Sequence, residues 1–186
     1  MTARKGVDDR RCPIFNSSQR KELNVSSAEV RLKELAIQLP SVGTSIGNYV
    51  LAAQGSGLVF LSGQGPIVDG KVIYEGKVGS DLTEDQGYQA ARLAGLNLLA
   101  ILRAHLGSLD RVRRVLKIVG WVCSAPGFQR QPSVINGASD LITEVFGERG
   151  KHARSAVSAH ELPLGIAVEV EMVVVTCPLQ TGPAGV

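Results

Sequence analysis

The sequence predicts an α+β fold, in which a mixed β-sheet carries two long helices on one face. Short stretches rich in Val, Leu and Ile alternate with two longer stretches whose apolar residues recur at helical spacing. Each long helix would join one strand to another, which favours right-handed crossovers and puts both helices on the same side of the sheet. A chain of 186 residues with 44% hydrophobic residues can build the core of one such domain.

The first elements are expected to be a short helix and a β-meander. Residues 1–25 have no periodicity and are predicted to be a disordered tail. A capping box from Ser26 to Glu29 predicts an extra N-terminal helix within residues 26–39, which ends before Pro40. The strands that follow are joined by glycine-containing turns and are predicted at residues 49–53, 58–62 and 71–74.

Two long helices are delimited by their capping residues. A second capping box, Thr83 to Gln86, begins the first of them, and Gly107 stands at its C-cap position. The other begins near Pro132, which the first turn of a helix tolerates, and ends at Gly147.

Three strands complete the predicted sheet. Residues 112–122 are apolar enough to suggest burial on both faces. Two final strands, one beginning near Arg154 and one containing Glu169, are predicted to pair with each other across a Pro/Gly turn. The domain would span residues 26–177, with 178–186 as a flexible tail. One sheet face would then lack a helix, and self-association would bury its apolar residues.

Composition excludes several classes of function. The net charge of +3 is too small to imply nucleic acid, and the basic residues of the first 21 positions are interpreted as a solvated tail. Three widely spaced cysteines, Cys12, Cys123 and Cys177, form no metal-ligand pattern and fit a reducing compartment. No apolar run has the length of a membrane span. We therefore predict a cytoplasmic protein without metal or cofactor; a mitochondrial presequence is the alternative, against which Asp8 and Asp9 argue.

Arg154 and Glu169 are the candidate catalytic residues. A guanidinium can hold a planar carboxylate through two parallel hydrogen bonds, and a nearby carboxylate can hold or activate water. The alternative is that Arg154 forms a purely structural ion pair with Glu169 or Glu171 and binds no ligand. The first interpretation predicts a small anionic ligand and hydrolytic chemistry.

Several short motifs together resemble the Rid/YjgF family of imine and enamine deaminases, which also carries the older label of L-PSP endoribonuclease. The similarity extends over about residues 35–175. The motifs that carry it are Tyr49 after Gly47-Asn48, Ser62-Gly63-Gln64 at a strand end, Ala153-Arg154-Ser155, and Leu162-Pro163 before Val168-Glu169-Val170.

This resemblance implies a chorismate-mutase-like fold and a homotrimer whose sheets form a central barrel, with sites in clefts between subunits. It also implies that Arg154 binds the substrate carboxylate and Glu169 positions water. The residues expected to contact the substrate are Tyr49, Ser62, Gly63, Gln64, Asn136, Ser155 and Ala156. Ala156 stands where many deaminases have Cys, and His152 stands where Pro or Ala is usual. The N-terminal extension and Trp121 are also unlike the compact deaminases and resemble a divergent branch of the family.

The implied activity is that of a hydrolase, the deamination of 2-iminopropanoate, 2-iminobutanoate or related enamino acids to 2-keto acids and ammonia. One alternative is a non-enzymatic module that binds a small carboxylate in the same cleft. Another is an endoribonuclease or translation inhibitor. For RNA, the sequence offers only the basic run Arg111, Arg113, Arg114 and Lys117, without stacking aromatics or a histidine pair, so nucleic acid is not the expected partner.

Overall fold

A computed structural model describes residues 27–176 as one five-stranded mixed sheet with helices on one face. The helices are α1 (Ala28–Glu34), α2 (Glu84–Leu106) and α3 (Gln131–Phe146). The strands are β1 (Ala52–Gly55), β2 (Leu58–Gln64), β3 (Ile67–Val68), β4 (Lys71–Val72), β5 (Val112–Cys123), β6 (Ala153–Ala159) and β7 (Val168–Thr176). The predicted tails, with Cys12 and Cys177, lie outside the described residues.

The order of the main sheet is β1-β2-β7-β5-β6, and β3 and β4 form a separate hairpin. Only β5 and β6 run parallel; the other neighbours are antiparallel. The α+β class is confirmed, with both long helices on one face. The core lies between this face and the helices, where alternate residues of β7 such as Val170, Met172 and Val174 are fully buried or nearly so.

The predicted pairing of the last two strands is wrong, because β5 lies between them. β7 alternates buried and partly buried residues along its whole length, as a strand in the middle of a half-covered sheet does. β6 carries Arg154, Ser155 and Ser158 among small residues, and it occupies the edge. Pro163–Gly165 form a 3₁₀ turn within the connection that carries the chain from β6 past β5 to β7.

The opposite face of the sheet has no helix. Phe60 is 51% exposed there, Val157 is 45% exposed and Leu116 is 38% exposed. The prediction that β5 is buried on both faces is therefore wrong within a single chain, since Leu116 and Val119 belong to the face without helices. We call this surface the open face.

Helix α1 is tied to the turn that precedes β5. The hydroxyl of Ser27 donates to the carboxylate of Asp110 at 2.7 and 2.9 Å and accepts from the backbone of Val30. In return, the carboxylate of Glu29 accepts from the backbone N–H of Leu109 at 3.0 Å. The predicted capping box from Ser26 to Glu29 is thus wrong, because Ser27 is the cap and Glu29 caps another element.

The two long helices begin and end close to the predicted residues. Thr83 and Gln86 form the capping box of α2, and Gly107 caps its C-terminus at φ 78°. Helix α3 has Pro132 in its first turn and Gly147 at its C-cap. Within residues 27–176, no helix is both long and apolar enough to span a bilayer.

Candidate active site

Arg154 lies on the edge strand β6 and reaches helix α3. Its backbone pairs with Ile118 of β5, and its side chain projects to the helix-covered face. Nη1 donates to Asn136 Oδ1 at 2.8 Å and to Ser139 Oγ at 3.0 Å. Within residues 27–176, the Nε and Nη2 atoms of Arg154 make no hydrogen bond. The guanidinium is therefore held by one nitrogen, and its Nε–Nη2 edge is available for a bidentate anion.

Ser139 connects Arg154 to His152. Ser139 Oγ lies 3.1 Å from His152 Nε2, and His152 Nδ1 lies 2.6 Å from the carbonyl oxygen of Gly150. Burial lowers the pKa of His152, and the nearby Arg154 guanidinium lowers that pKa further, against the opposing effect of the hydrogen bond to Gly150. The imidazole is consequently neutral near pH 7.

Glu169 lies in the middle of the sheet, on the open face. Its carboxylate packs so closely on Gly63 that a Cβ at that position would fall 2.7 Å from Glu169 Cδ. No hydrogen bond or ion pair of Glu169 exists within the described range. Burial raises the pKa of Glu169, and the neighbouring carboxylate of Glu171 raises it further. A partly buried carboxylate without a partner is a group that could accept a proton from water.

The loop against Glu169 is a bulge at the end of β2. The register between β2 and β7 shifts between Leu61 and Gln64, so Ser62-Gly63-Gln64 forms an irregularity inside the strand. Ser62 Oγ donates to the carbonyl oxygen of Val50 at 2.8 Å, and Gln64 Nε2 donates to that of Gly63 at 2.8 Å. These bonds position the bulge without occupying the Glu169 carboxylate.

Tyr49 lies outside the sheet, because β1 begins three residues after it, at Ala52. The backbone N–H of Ser62 donates to Leu51 at 3.0 Å, which keeps residues 49–51 next to β2. Tyr49 itself is 45% exposed. We call Tyr49, Ser62, Gly63, Gln64 and Glu169 the glutamate group.

The other predicted contact residues lie near Arg154. Asn136 bonds to it directly, Ser155 follows it on the open face, and Ala156 packs against the core. Ser155 Oγ accepts from Lys117 Nζ at 2.8 Å. We call Arg154, Asn136, Ser155 and Ala156 the arginine group.

A single chain does not bring the two groups together. Arg154 pairs with Ile118, and Glu169 pairs with Trp121, three residues further along the intervening strand. The two residues are thus separated by about 10 Å across the sheet and about 10 Å along it, and their side chains project from opposite faces. The alternative of a structural ion pair between Arg154 and Glu169 or Glu171 is also wrong, since Arg154 bonds to neutral acceptors.

Two positioning residues were missed in the sequence. Ser139 is one helical turn from Asn136, and this i, i+3 spacing on α3 was the signal. Asn97 lies within α2, and its side-chain amide donates to the carbonyl oxygens of Gly65 and Ile67, both at 2.9 Å. The signal for Asn97 was an amide among the apolar residues of a helix. The Asn97 side chain holds the segment that follows the bulge.

Two of the four residues of the basic run have structural partners. In the basic run before and within β5, Arg111 donates to the carbonyl oxygen of Leu106 at 3.0 Å and Lys117 is held by Ser155. Only Arg113 and Arg114 of that run are exposed. In the part of the chain from 27 to 176, no three His, Cys, Asp or Glu side chains cluster as a metal site would require.

The chain is similar to one protein family over most of its length and to a protein of Trypanosoma cruzi. Residues 29–174 match the family described as "YjgF/chorismate mutase-like, putative endoribonuclease". Protein TCP17 of Trypanosoma cruzi is 44% identical over 144 residues, which are 77% of this chain and 90% of that protein.

Two solved structures are also similar to this chain over most of its length. The protein Atu1372 of Agrobacterium tumefaciens, described as having unknown function, is 43% identical with a TM-score of 0.75, over 80% of this chain and 92% of that one. A protein of Shewanella oneidensis, described as a "putative endoribonuclease", is 33% identical with a TM-score of 0.78. The match covers 81% of this chain and 99% of that one.

Proposed function

Because the chain belongs to the YjgF/chorismate mutase-like family, we propose that it hydrolyses reactive 2-imino or enamino acids to 2-keto acids and ammonia. The observation that carries the proposal is the hydrogen-bonding pattern of the Arg154 guanidinium. One nitrogen is anchored on Asn136 and Ser139, and the Nε–Nη2 edge has no partner within residues 27–176. A preorganised guanidinium edge of this kind suits the carboxylate of a small acid.

The site is completed by a second copy of the chain. The glutamate group lies toward the β1–β2 edge and the open face, whereas the arginine group lies at the β6 edge. A cyclic assembly that packs the β1 side of one subunit against the β6 side of the next would bring the two groups together. The apolar residues of the open face, such as Phe60, favour such an assembly. We propose the homotrimer that the family resemblance implies.

The reaction needs only positioned water. Arg154 fixes the carboxylate of the imino acid, so that C2 of its C=N bond faces Glu169 of the neighbouring subunit. The substrate reacts as its protonated iminium form. As the water oxygen forms a bond to C2, Glu169 accepts one proton from that water, and the C=N π electrons move to nitrogen to give a neutral carbinolamine. Glu169 then returns this proton to the nitrogen and accepts the proton of the carbinolamine hydroxyl as the C–N bond breaks, so that ammonia leaves, the 2-keto acid remains and Glu169 finally loses its proton to solvent. These imines also hydrolyse in water, so most of the acceleration would come from orientation.

A coupled assay tests the proposal. An amino-acid oxidase generates 2-imino acids beside semicarbazide, which traps them, and we expect the wild-type protein to suppress semicarbazone formation. Glu169→Gln keeps the shape of the side chain but cannot accept a proton, and we expect at least a roughly 100-fold lower rate. Glu161→Gln changes an exposed carboxylate and is the matched control. Wild-type protein that acts no faster than a buffer blank on any imino acid refutes the proposal.

The pH dependence of the reaction should report Glu169. If its ionised form accepts the proton, activity falls as the pH drops through its raised pKa. Glu171→Gln removes one of the two causes of that rise, so we expect the acidic limb of the kcat/KM profile to move to lower pH. Burial remains and keeps the limb above the range of an ordinary glutamate. An acidic limb that does not move in Glu171→Gln contradicts the assignment.

Mixing two inactive variants tests the shared site. Arg154→Ala and Glu169→Gln subunits, unfolded together and refolded, should regain activity, because some interfaces then combine an intact arginine group with an intact glutamate group. Random assembly of equal amounts gives about one intact site in four. Each variant refolded alone is the control, and a mixture that stays inactive argues against a site shared between subunits.

The same guanidinium edge supports a second function, a non-enzymatic module that binds a small carboxylate. Saturable binding of a 2-keto acid by a protein without imine hydrolysis in the coupled assay would favour it. The family description also names endoribonuclease activity. Within residues 27–176, the exposed Arg113 and Arg114 of the basic run are the feature that favours it. An RNase activity that disappears on further purification would exclude it.

A further inference from the structure

The hydrogen bonds around Arg154 have a defined direction. The guanidinium can only donate, so Asn136 Oδ1 and Ser139 Oγ must both accept from Nη1. Both hydrogens of Nη1 are thereby used. The hydroxyl of Ser139 presents a lone pair to Arg154, and its own proton must point elsewhere.

His152 is the group that receives this proton. Its Nδ1 lies 2.6 Å from the carbonyl oxygen of Gly150, which can only accept, so Nδ1 carries the hydrogen. In the neutral ring, Nε2 is then an acceptor, and it lies 3.1 Å from Ser139 Oγ. The chain of donors thus runs from Arg154 to Ser139, from Ser139 to His152, and from His152 to the backbone.

The end of this chain is rigid. Gly150 packs against the last turns of α3 so closely that a Cβ would lie 2.5 Å from the carbonyl oxygen of Ile142. The carbonyl group of Gly150 is therefore fixed relative to α3, the helix that also carries Asn136 and Ser139. His152 and Ser139 therefore connect Arg154 to a backbone carbonyl group that is fixed on α3.

We propose that His152 and Ser139 act as a positioning pair, which fixes the orientation of Arg154 so that its Nε–Nη2 edge faces the ligand carboxylate. This inference rests on the proposed carboxylate-binding role of Arg154. Neither side chain is required to touch the ligand. Ser139 supplies the acceptor, and His152 orients the Ser139 hydroxyl by accepting its proton.

The first test needs no ligand. In the full-length wild-type protein, ¹⁵N NMR of the histidine side chains near pH 7 should show His152 as the neutral tautomer with its proton on Nδ1, with assignment by the His152→Gln spectrum. Replacement of Ser139 by Ala should change the Nε2 shift of His152 and leave His160, which is exposed, unchanged. A proton on Nε2 would overturn the proposal, because Ser139 could then not donate to that atom.

The second test measures affinity for pyruvate and 2-oxobutanoate by calorimetry. We expect Ser139→Ala and His152→Gln each to raise Kd by about fivefold to tenfold, the effect of one hydrogen bond. Because the two residues act through one chain, the double variant should lose no more than Ser139→Ala alone. Ser139→Thr, which keeps the hydroxyl, should retain most of the affinity, and His160→Gln should bind as the wild type does.

The outcomes separate the two proposals. Folded variants whose losses multiply in the double variant, or a His152→Gln variant that binds as tightly as the wild type, overturn the positioning pair alone. Wild-type protein that binds neither keto acid and hydrolyses no imino acid refutes the proposed function, and the inference that rests on it. Thermal unfolding of each variant identifies any loss that comes from a damaged fold.

Discussion

Arg154→Ala is expected to lower kcat/KM for 2-imino acids by at least about 100-fold, or about 3 kcal/mol of transition-state stabilisation. The substitution removes the only cation of the arginine group and both donors of its free edge. The carboxylate of the substrate then has no fixed anchor, and C2 is no longer held near the water. The coupled semicarbazide assay measures the loss, and calorimetry with pyruvate measures the accompanying loss of binding.

Two control variants make this result specific. Arg154→Lys keeps the charge but lacks the planar fork, so we expect intermediate activity, with a higher KM than that of the wild type. Arg113→Ala removes an exposed arginine of β5 and should leave activity unchanged. An Arg154→Ala protein that remains folded and fully active would falsify the carboxylate role, and with it the site as proposed.

Gly137→Ala should have the largest effect on stability, a loss of about 3 kcal/mol in the free energy of unfolding. Gly137 lies where α3 crosses α2, and a Cβ there would overlap the carbonyl oxygen of Tyr88 and lie 3.0 Å from the backbone nitrogen of Arg92. Backbone atoms in the middle of a helix cannot rotate away, so the two helices would have to separate. Urea unfolding followed by circular dichroism measures the change.

Gly95→Ala is the matched control. Gly95 lies in α2, and its added Cβ would meet the end of the Leu141 side chain at 3.0 Å, which can adjust. Both substitutions gain about 1 kcal/mol of helix propensity, so their difference isolates the backbone overlap. Similar stabilities for the two variants would contradict the close crossing of α2 and α3.

Much of the fold could be predicted from local signals. The capping box of Thr83 and Gln86, Gly107 at the C-cap and Pro132 in a first turn located both long helices, because each reports a local backbone requirement. Strand neighbours are set by tertiary packing, and a Pro/Gly turn between two apolar segments does not distinguish a hairpin from a crossover over a third strand. For that reason the pairing of β6 with β7 was predicted and β5 was found between them.

Some contacts between the candidate site residues could also be predicted. Arg154 contacts Asn136 and Glu169 contacts Gly63, whereas the roles of these residues stay predictions. The distance between the two pairs was not foreseeable, since it depends on strand order. Ser139 was missed because a serine inside a helix is usually solvated, so that its i, i+3 spacing from Asn136 becomes informative only together with its contact with Arg154.

The attachment of helix α1 has a consequence for the order in which the protein folds. A helix of seven residues is not stable by itself in water. Its first turn depends on Asp110, and the turn of Leu109 depends on Glu29, so the two caps exist only together. Helix α1 can therefore form only on a body that already contains the turn of Leu109 and Asp110, which precedes β5, and it can open locally, as a separate unit, while the sheet remains intact.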